Sequence, residues 1–454
     1  MACAAWLGPA GSAAANHSQI TFFEAPRDLL IPSQQKKAFA ELDSLGVRAL
    51  RVIVYWKNVA PRSSSRRRPR FDATNPRNYR WGQYDRVMAE AARRHWVVLL
   101  TASGPVPRWA TAGARDNLTR PSPREFGQFT TALARQYGKV ASLWSIWNEP
   151  NHPEYLRPQF AGGLPASPRI YRALFQSGVA GLRAAGLTRA RVLMGETAPR
   201  GTSHVVAPLQ FLRGALCLNN HYRKSSTCSA LPAAGYSHHA YTTTAGPFFR
   251  PPNHDDVTIG VLSRLTRALD RAASAHALAP GIPIYLTEFG IQSKPNPFLG
   301  VSLTKQAQYR SISEQLSWDN ARVVAFSQYL LRDDPHISRP GSSLHGGLIG
   351  FQSGLRLATG RAKPSLGGFR LPLSIYHRGH SARLWGYVRP ATGPTTALVM
   401  VATAHGRFHR LAVVTTNSTG YWSLRSRYGR GFRWRVLWRD PRGRLFSGPA
   451  TSAY

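Results

Sequence analysis

Acidic residues are scarce in this chain. Its 454 residues hold 21 Asp and Glu against 59 Lys and Arg, a formal net charge of +38, and only nine are glutamates. A glutamate in an apolar setting is therefore worth attention. Cysteine is scarce too, with three residues and no C-x-x-C spacing; that excludes the usual zinc frameworks. No apolar run approaches the roughly 18 residues that a membrane-spanning helix needs. Lysine is rare, with eight residues, so the positive charge is mostly arginine. Such a balance suits a polyanion-binding protein, or it reflects an arginine-rich composition with a solvated surface. The arginines run along the whole chain and match no nucleic-acid motif, which favours the second reading and no nucleic-acid partner. The densest cluster, Arg62 to Arg70, reads as a solvated loop.

Residues 1–15 are small and apolar and end Ala13-Ala14-Ala15, like the tail of a signal peptide without its positive start. Removing them, with Cys3, leaves Cys217 and Cys228 in a loop-like stretch. A short-loop disulfide and a secreted protein are the expectation, against two free thiols in a reducing compartment.

Aromatic residues are plentiful: 12 Trp, 17 Tyr and 19 Phe, enough for a large core. Strand-like runs begin near Ile20, Val47, Trp96, Ser142, Arg191, Gly235, Pro283 and Ala321. Helix-period segments lie between most of them, including Ser33 to Leu45, Trp81 to His95, Ser122 to Tyr137, Pro168 to Ala185, Thr258 to Leu278 and Thr304 to Trp318. Ser122-Pro123-Arg124-Glu125 resembles a capping box with proline in the first turn. Eight β-α units predict an α/β fold, a (β/α)8 TIM barrel, over residues 16–370. A doubly wound sheet would carry a glycine-rich phosphate loop after its first strand, and none follows Ile20 to Pro26. From about Leu371 short alternating runs replace the helices, predicting an all-β, sandwich-like domain over 371–454. Its Trp385, Tyr421, Trp422, Trp434 and Trp438 either stack on sugars or fill the sandwich core; their alternation favours the core.

Two stretches carry the chemistry. Trp144-Ser145-Ile146-Trp147-Asn148-Glu149-Pro150 and Tyr285-Leu286-Thr287-Glu288-Phe289-Gly290 are apolar runs ending on a glutamate and followed by a turn residue. That pattern places a carboxylate at the carboxyl end of a barrel strand, facing a cleft. A carboxyl pair is the minimum equipment for cutting a glycosidic bond, one protonating the leaving oxygen and the other attacking the anomeric carbon. No metal or organic cofactor is needed for this.

Asn148-Glu149-Pro150 after one aromatic strand, with Thr287-Glu288-Phe289-Gly290 three β-α units later, resembles glycoside hydrolase clan A over roughly residues 20 to 370. The nearest flavours are the cellulase-like family five and the β-xylosidase- and iduronidase-like family thirty-nine. The resemblance implies a retaining mechanism with Glu149 as general acid/base and Glu288 as nucleophile. It implies that Asn148 binds the sugar 2-hydroxyl and that Arg51, near the end of strand two, holds the nucleophile ionised. It implies that His239 and Tyr241 match the His-x-Tyr after strand six, the tyrosine orienting the nucleophile. Side chains alternate along a strand, so His239 shares a face with Tyr241 while His238 is a core histidine. Glu196 also ends a strand, and lines the cleft or serves the structure. The clan's strand-eight tryptophan platform is missing. Gln328 or Tyr329 occupies its region, and Trp56, Trp109 and Trp147 are substitutes for stacking, or else core residues.

The sequence thus predicts a secreted, monomeric glycosidase acting on an oligo- or polysaccharide. The Arg62 to Arg70 loop follows strand two on the catalytic face and would suit an anionic sugar; solvation is the plainer account. A non-catalytic carbohydrate- or wall-binding protein on a decayed barrel, and a transglycosylase using the same residues, are the competing readings.

Overall fold

The computed structural model describes residues 18–225, 228–335, 337–338, 348–390 and 393–454. The proposed signal remnant at 1–15 lies outside the described residues. Eight parallel strands close into a barrel: β1 (Ile20–Glu24), β2 (Ala49–Tyr55), β3 (Val97–Ser103), β4 (Leu143–Ile146), β5 (Val192–Thr197), β6 (Gly235–His238), β7 (Ile284–Leu286) and β8 (Val323–Tyr329). Each pairs with its neighbours in chain order, and β1 pairs with β8 to close the ring. The helices around it include α1 (Pro32–Ser44), α2 (Gly82–Arg93), α3 (Pro123–Tyr137), α4 (Ser167–Ala184), α5 (Pro208–Ala215), α6 (Leu262–Ser274) and α7 (Leu303–Trp318).

Local sequence explains these elements. In α3 the Ser122 hydroxyl accepts from the Glu125 amide and Pro123 opens the first turn. Phe126, Phe129, Leu133 and Tyr137 recur at helical spacing and are buried. Parallel strands covered on both faces read as apolar runs, as these do.

The barrel interior is layered, because alternate residues point inward. Phe22, Ala49, Leu99, Leu143, Leu193, Tyr285 and Ala325 form one apolar cluster. Two residues further along the same strands come Glu24, Arg51, Thr101, Ser145, Thr287 and Ser327, all buried and all polar. An apolar plug therefore carries a polar floor at the carboxyl end of the barrel.

After α8 (Pro364–Arg370) come two antiparallel sheets. One contains β9 (Leu373–Arg378), β10 (Ser381–Tyr387) and β13 (Tyr421–Arg427). The other contains β11 (Thr396–Ala402), β12 (His409–Thr415), β14 (Arg433–Arg439) and β15 (Leu445–Ser447). Trp422, Trp434 and Trp438 fill the space between the sheets with Leu373, Ile375, Leu384, Val399 and Val436. Trp385 and Tyr421 instead pack on Trp318 of α7. All five aromatics are buried, so none offers a free sugar platform. A buried ionic chain also joins the two parts. Arg389, just after β10, reaches Glu314 of α7 and the Thr21 hydroxyl of β1 at 3.0 Å. Arg310 of α7 pairs with Glu314 at 2.5 Å and donates to Gln328 of β8 at 2.8 Å.

Cys217 and Cys228 form a disulfide after α5. Among the described residues no helix is long and apolar enough to cross a membrane.

Candidate active site

Glu149 and Glu288 follow β4 and β7 and meet over the polar floor. Their nearest carboxylate oxygens, with a ring nitrogen of His239, all lie within 4.8 Å of one another. The backbone is contorted here: Trp147, Glu149 and Glu196 have φ of 74°, 39° and 48°, in the left-handed region that non-glycine residues avoid. The backbone amide of Glu149 is tied to the carbonyl of Glu196 at 3.0 Å, and that of Asn148 to the Ser103 hydroxyl at 3.0 Å. Gly104 lets the Trp147 ring lie against the backbone, where a Cβ would stand 2.5 Å from Cζ2.

Arg51 is the hub. Its Nη1 donates to Glu288 Oε2 at 2.7 Å and to Glu24; its Nη2 donates to Glu196 Oε2 and Asn148 Oδ1, each at 2.5 Å. Tyr241 donates its hydroxyl to Glu288 Oε1 at 2.8 Å. Glu288 thus has a charged donor on one oxygen and a neutral donor on the other, which together fix the orientation of its carboxyl group. Asn148 spends its carbonyl oxygen on Arg51, which leaves its amide nitrogen as the end for a ligand.

Glu149 is set differently. Its partner is His239, whose Nδ1 stands 2.9 Å from Oε1. Burial pushes the Glu149 carboxyl up to about 7, against the lowering pull of His152 and Arg51. Burial also holds His239 down to about 4, so the imidazole is neutral and adds no charge to hold Glu149 ionised. Burial pushes the Tyr241 phenol up, reinforced by the charge on Glu288, so it remains a donor.

The three atoms within 4.8 Å have the residue types of a metal site. Their bonding fits protein partners instead: both Glu288 oxygens are engaged by Arg51 and Tyr241, and His239 Nδ1 by Glu149.

The structure brings Glu149, Glu288, Asn148, Arg51, His239 and Tyr241 into one constellation. Three other candidates lie elsewhere. Trp56 is fully buried, stacked on Phe129 and edge-on to Trp109. Trp147 is fully buried against Phe126, its indole donating to the Tyr155 carbonyl at 3.2 Å. Gln328 points out of the barrel, because its neighbour Ser327 takes the inward position; its amide serves Arg310 and the carbonyls of Tyr329 and Ser353. All three are core residues and not cleft residues. His238 is a satisfied core histidine, bonded to Thr197 and to the Val257 carbonyl. Glu196 is fully buried between Arg51 and the Thr101 hydroxyl, a structural role. Glu24 was not among the candidates, yet it shares Arg51. Its signal was present: Phe22-Phe23-Glu24-Ala25-Pro26 repeats the strand, glutamate, turn pattern of the other two. Half-buried Tyr55, Tyr155 and Tyr329 stand close enough to feel the site's carboxylates.

No family model matches the chain, and no curated protein sequence does. Solved structures do match. The chain is similar to the GH39 enzyme from Xanthomonas axonopodis pv. citri, at 15% identity and a TM-score of 0.52 over 96% of each chain. It is similar to a monomeric beta-xylosidase from Caulobacter crescentus CB15, at 15% identity and 0.53, over 96% of this chain and 98% of that one. A glucosidase from Croceicoccus marinus matches at 9% identity and 0.52 over 98% of each. The architecture, an eight-stranded parallel barrel with antiparallel sheets after it, is the fold shared with these enzymes along nearly their whole length.

Proposed function

We propose that the chain is a retaining glycoside hydrolase that cleaves O-glycosidic bonds of an oligo- or polysaccharide by double displacement. One observation carries the reading: two carboxyls at the ends of β4 and β7 have oxygens within 4.8 Å. Inverting enzymes hold their carboxyl groups roughly 6.5–9.5 Å apart to seat a water, whereas retaining ones hold them about 5–5.5 Å apart. The electrostatics divide the labour. Glu149, raised to about 7, keeps the proton that the leaving oxygen needs. Glu288, under Arg51 and Tyr241, attacks the anomeric carbon. Glu149, deprotonated by that step, then takes a proton from the water that hydrolyses the glycosyl ester. Asn148 binds the 2-hydroxyl. The half-buried ring of Tyr329, with Phe351 edge-on at 5.2 Å, replaces the missing tryptophan as stacking surface.

Exposed Arg62, Arg66, Arg67 and Arg70 after β2 support an anionic sugar as substrate, while Arg68 is engaged by Glu125 at 2.8 Å. The disulfide supports secretion.

The test is a hydrolysis screen on aryl β-glycosides and polysaccharides, uronate-bearing ones included, with Glu288→Ala and Glu149→Ala as controls. Both variants are expected to fold and to lose turnover by about 10³-fold or more. Retained activity in Glu288→Ala overturns the assignment. Cleavage of neutral substrates with uronates ignored removes the anionic-sugar reading alone.

A further inference from the structure

Glu24 has no part in the steps above, although it touches the same guanidinium nitrogen as the nucleophile. Arg51 faces three carboxyls, those of Glu24, Glu196 and Glu288, and each residue is at least nine-tenths buried. One positive charge in a low-dielectric interior does not offset three negative ones, so one carboxyl keeps its proton. The donors single it out. Glu288 has Tyr241 as a second donor, and Glu196 has Thr101. Among the described residues Arg51 is the donor found on Glu24. Burial, opposed by Arg51 and reinforced by Glu288 and Glu196, accordingly pushes the Glu24 carboxyl up to about 8. The remaining titratable neighbours are Tyr55 of β2 and Tyr329 of β8, both pushed up by burial and hence neutral.

We propose that Glu24 and Glu288 share one negative charge through Arg51: Glu24 releases its proton to water when Glu288 becomes a glycosyl ester, and regains one when that ester is hydrolysed. This rests on the glycosidase reading. In the first step the Glu288–carbon bond forms, the glycosidic bond breaks, and the leaving oxygen takes the Glu149 proton. Glu288 is now neutral, and ionisation of Glu24 restores two anions around Arg51. In the second step water adds hydroxide to the anomeric carbon and its proton to Glu149. Glu288 departs as carboxylate, and Glu24 is reprotonated from solvent. A cavity of about 70 Å³, mostly apolar but with Glu24, Arg51, Tyr55 and Tyr329 in its lining, has room for a water that carries the proton. Glu24 is a positioning residue in this scheme; it does not touch the sugar.

The coupling is measurable without a substrate. With nine glutamates in the chain, selective ¹³Cδ-glutamate labelling gives a tractable carboxyl spectrum. Glu24→Gln identifies the Glu24 resonance. Its titration midpoint is then read in the unmodified protein and in Glu288→Gln, whose neutral side chain imitates the ester. The expected result is a midpoint near 8 that falls by about one pH unit or more in Glu288→Gln. Glu288→Ala, which removes both charge and bulk, is the second variant should the first fail to fold. An unchanged midpoint, or a Glu24 already ionised at pH 5 in the unmodified protein, overturns the proposal. Coupling found in a protein without hydrolytic activity would keep the shared charge and remove the glycosidase reading.

Discussion

Glu149 sets the upper pH limit of the first chemical step. Its carboxyl, raised to about 7, must be protonated to assist the leaving group, so turnover is expected to fall as pH rises through about 7. A pH–rate profile checks this; a plateau extending to pH 9 would contradict it. Stability carries the same signature at Glu24. An acid raised from 4.5 to about 8 binds a proton in the folded state that the unfolded chain has lost. Its contribution is full below about 4.5 and fades as pH rises through 8. Glu24→Gln should therefore flatten the decline in denaturation midpoint between pH 5 and pH 8, measured by urea titration. At this scale the sequence was partly legible. Residues fixed by a short motif at a strand end, such as Asn148 and Glu149, could be read directly. Trp56 and Trp147 could not be told from platform residues, because aromatic side chains serve cleft and core equally. Gln328 was misplaced by one step of strand alternation.

Elements were more legible than side chains. Strand starts fell within two residues of those observed, because buried parallel strands read as unbroken apolar runs, and helices such as α3 and α7 announce their serine caps. The helix read as Thr258 to Leu278 is shorter, at Leu262–Ser274, with a 3₁₀ turn at Ile259–Val261 before it. Periodicity continued through that turn while the hydrogen bonding changed. The Ser122 cap of α3 is a local test. Ser122→Ala removes the acceptor for the Glu125 amide and is expected to cost about 1 kcal/mol, measured by chemical denaturation. Activity should be unaffected, since α3 presents core residues and not site residues to the barrel.

For the whole molecule, the decisive contacts are those that join distant parts of the chain. Arg310 and Glu314 are already neighbours one turn apart on α7, but no sequence pattern announced Arg389, which lies 75 positions beyond Glu314 and joins them only when the chain folds back on the barrel. Glu314→Ala leaves two buried guanidinium groups without their counter-charge and is expected to destabilise the fold by about 3–5 kcal/mol. A small loss in thermal or urea denaturation would show that the cluster is solvated. The disulfide is a milder constraint: a separation of 11 residues predicts about 2–3 kcal/mol lost in a Cys217→Ser, Cys228→Ser variant.

The same cluster bears on how the chain is assembled. Arg389 holds Thr21 of β1, while its partner Glu314 holds Arg310, which grips Gln328 of β8. These are the first and last staves of the barrel, and the seam between them is clasped by a residue from beyond both. During synthesis the hoop is complete in sequence some sixty residues before its clasp emerges. The C-terminal sheets are thus less a passenger than a buckle, and a chain cut at residue 370 is expected to yield an open, aggregation-prone barrel instead of a smaller enzyme.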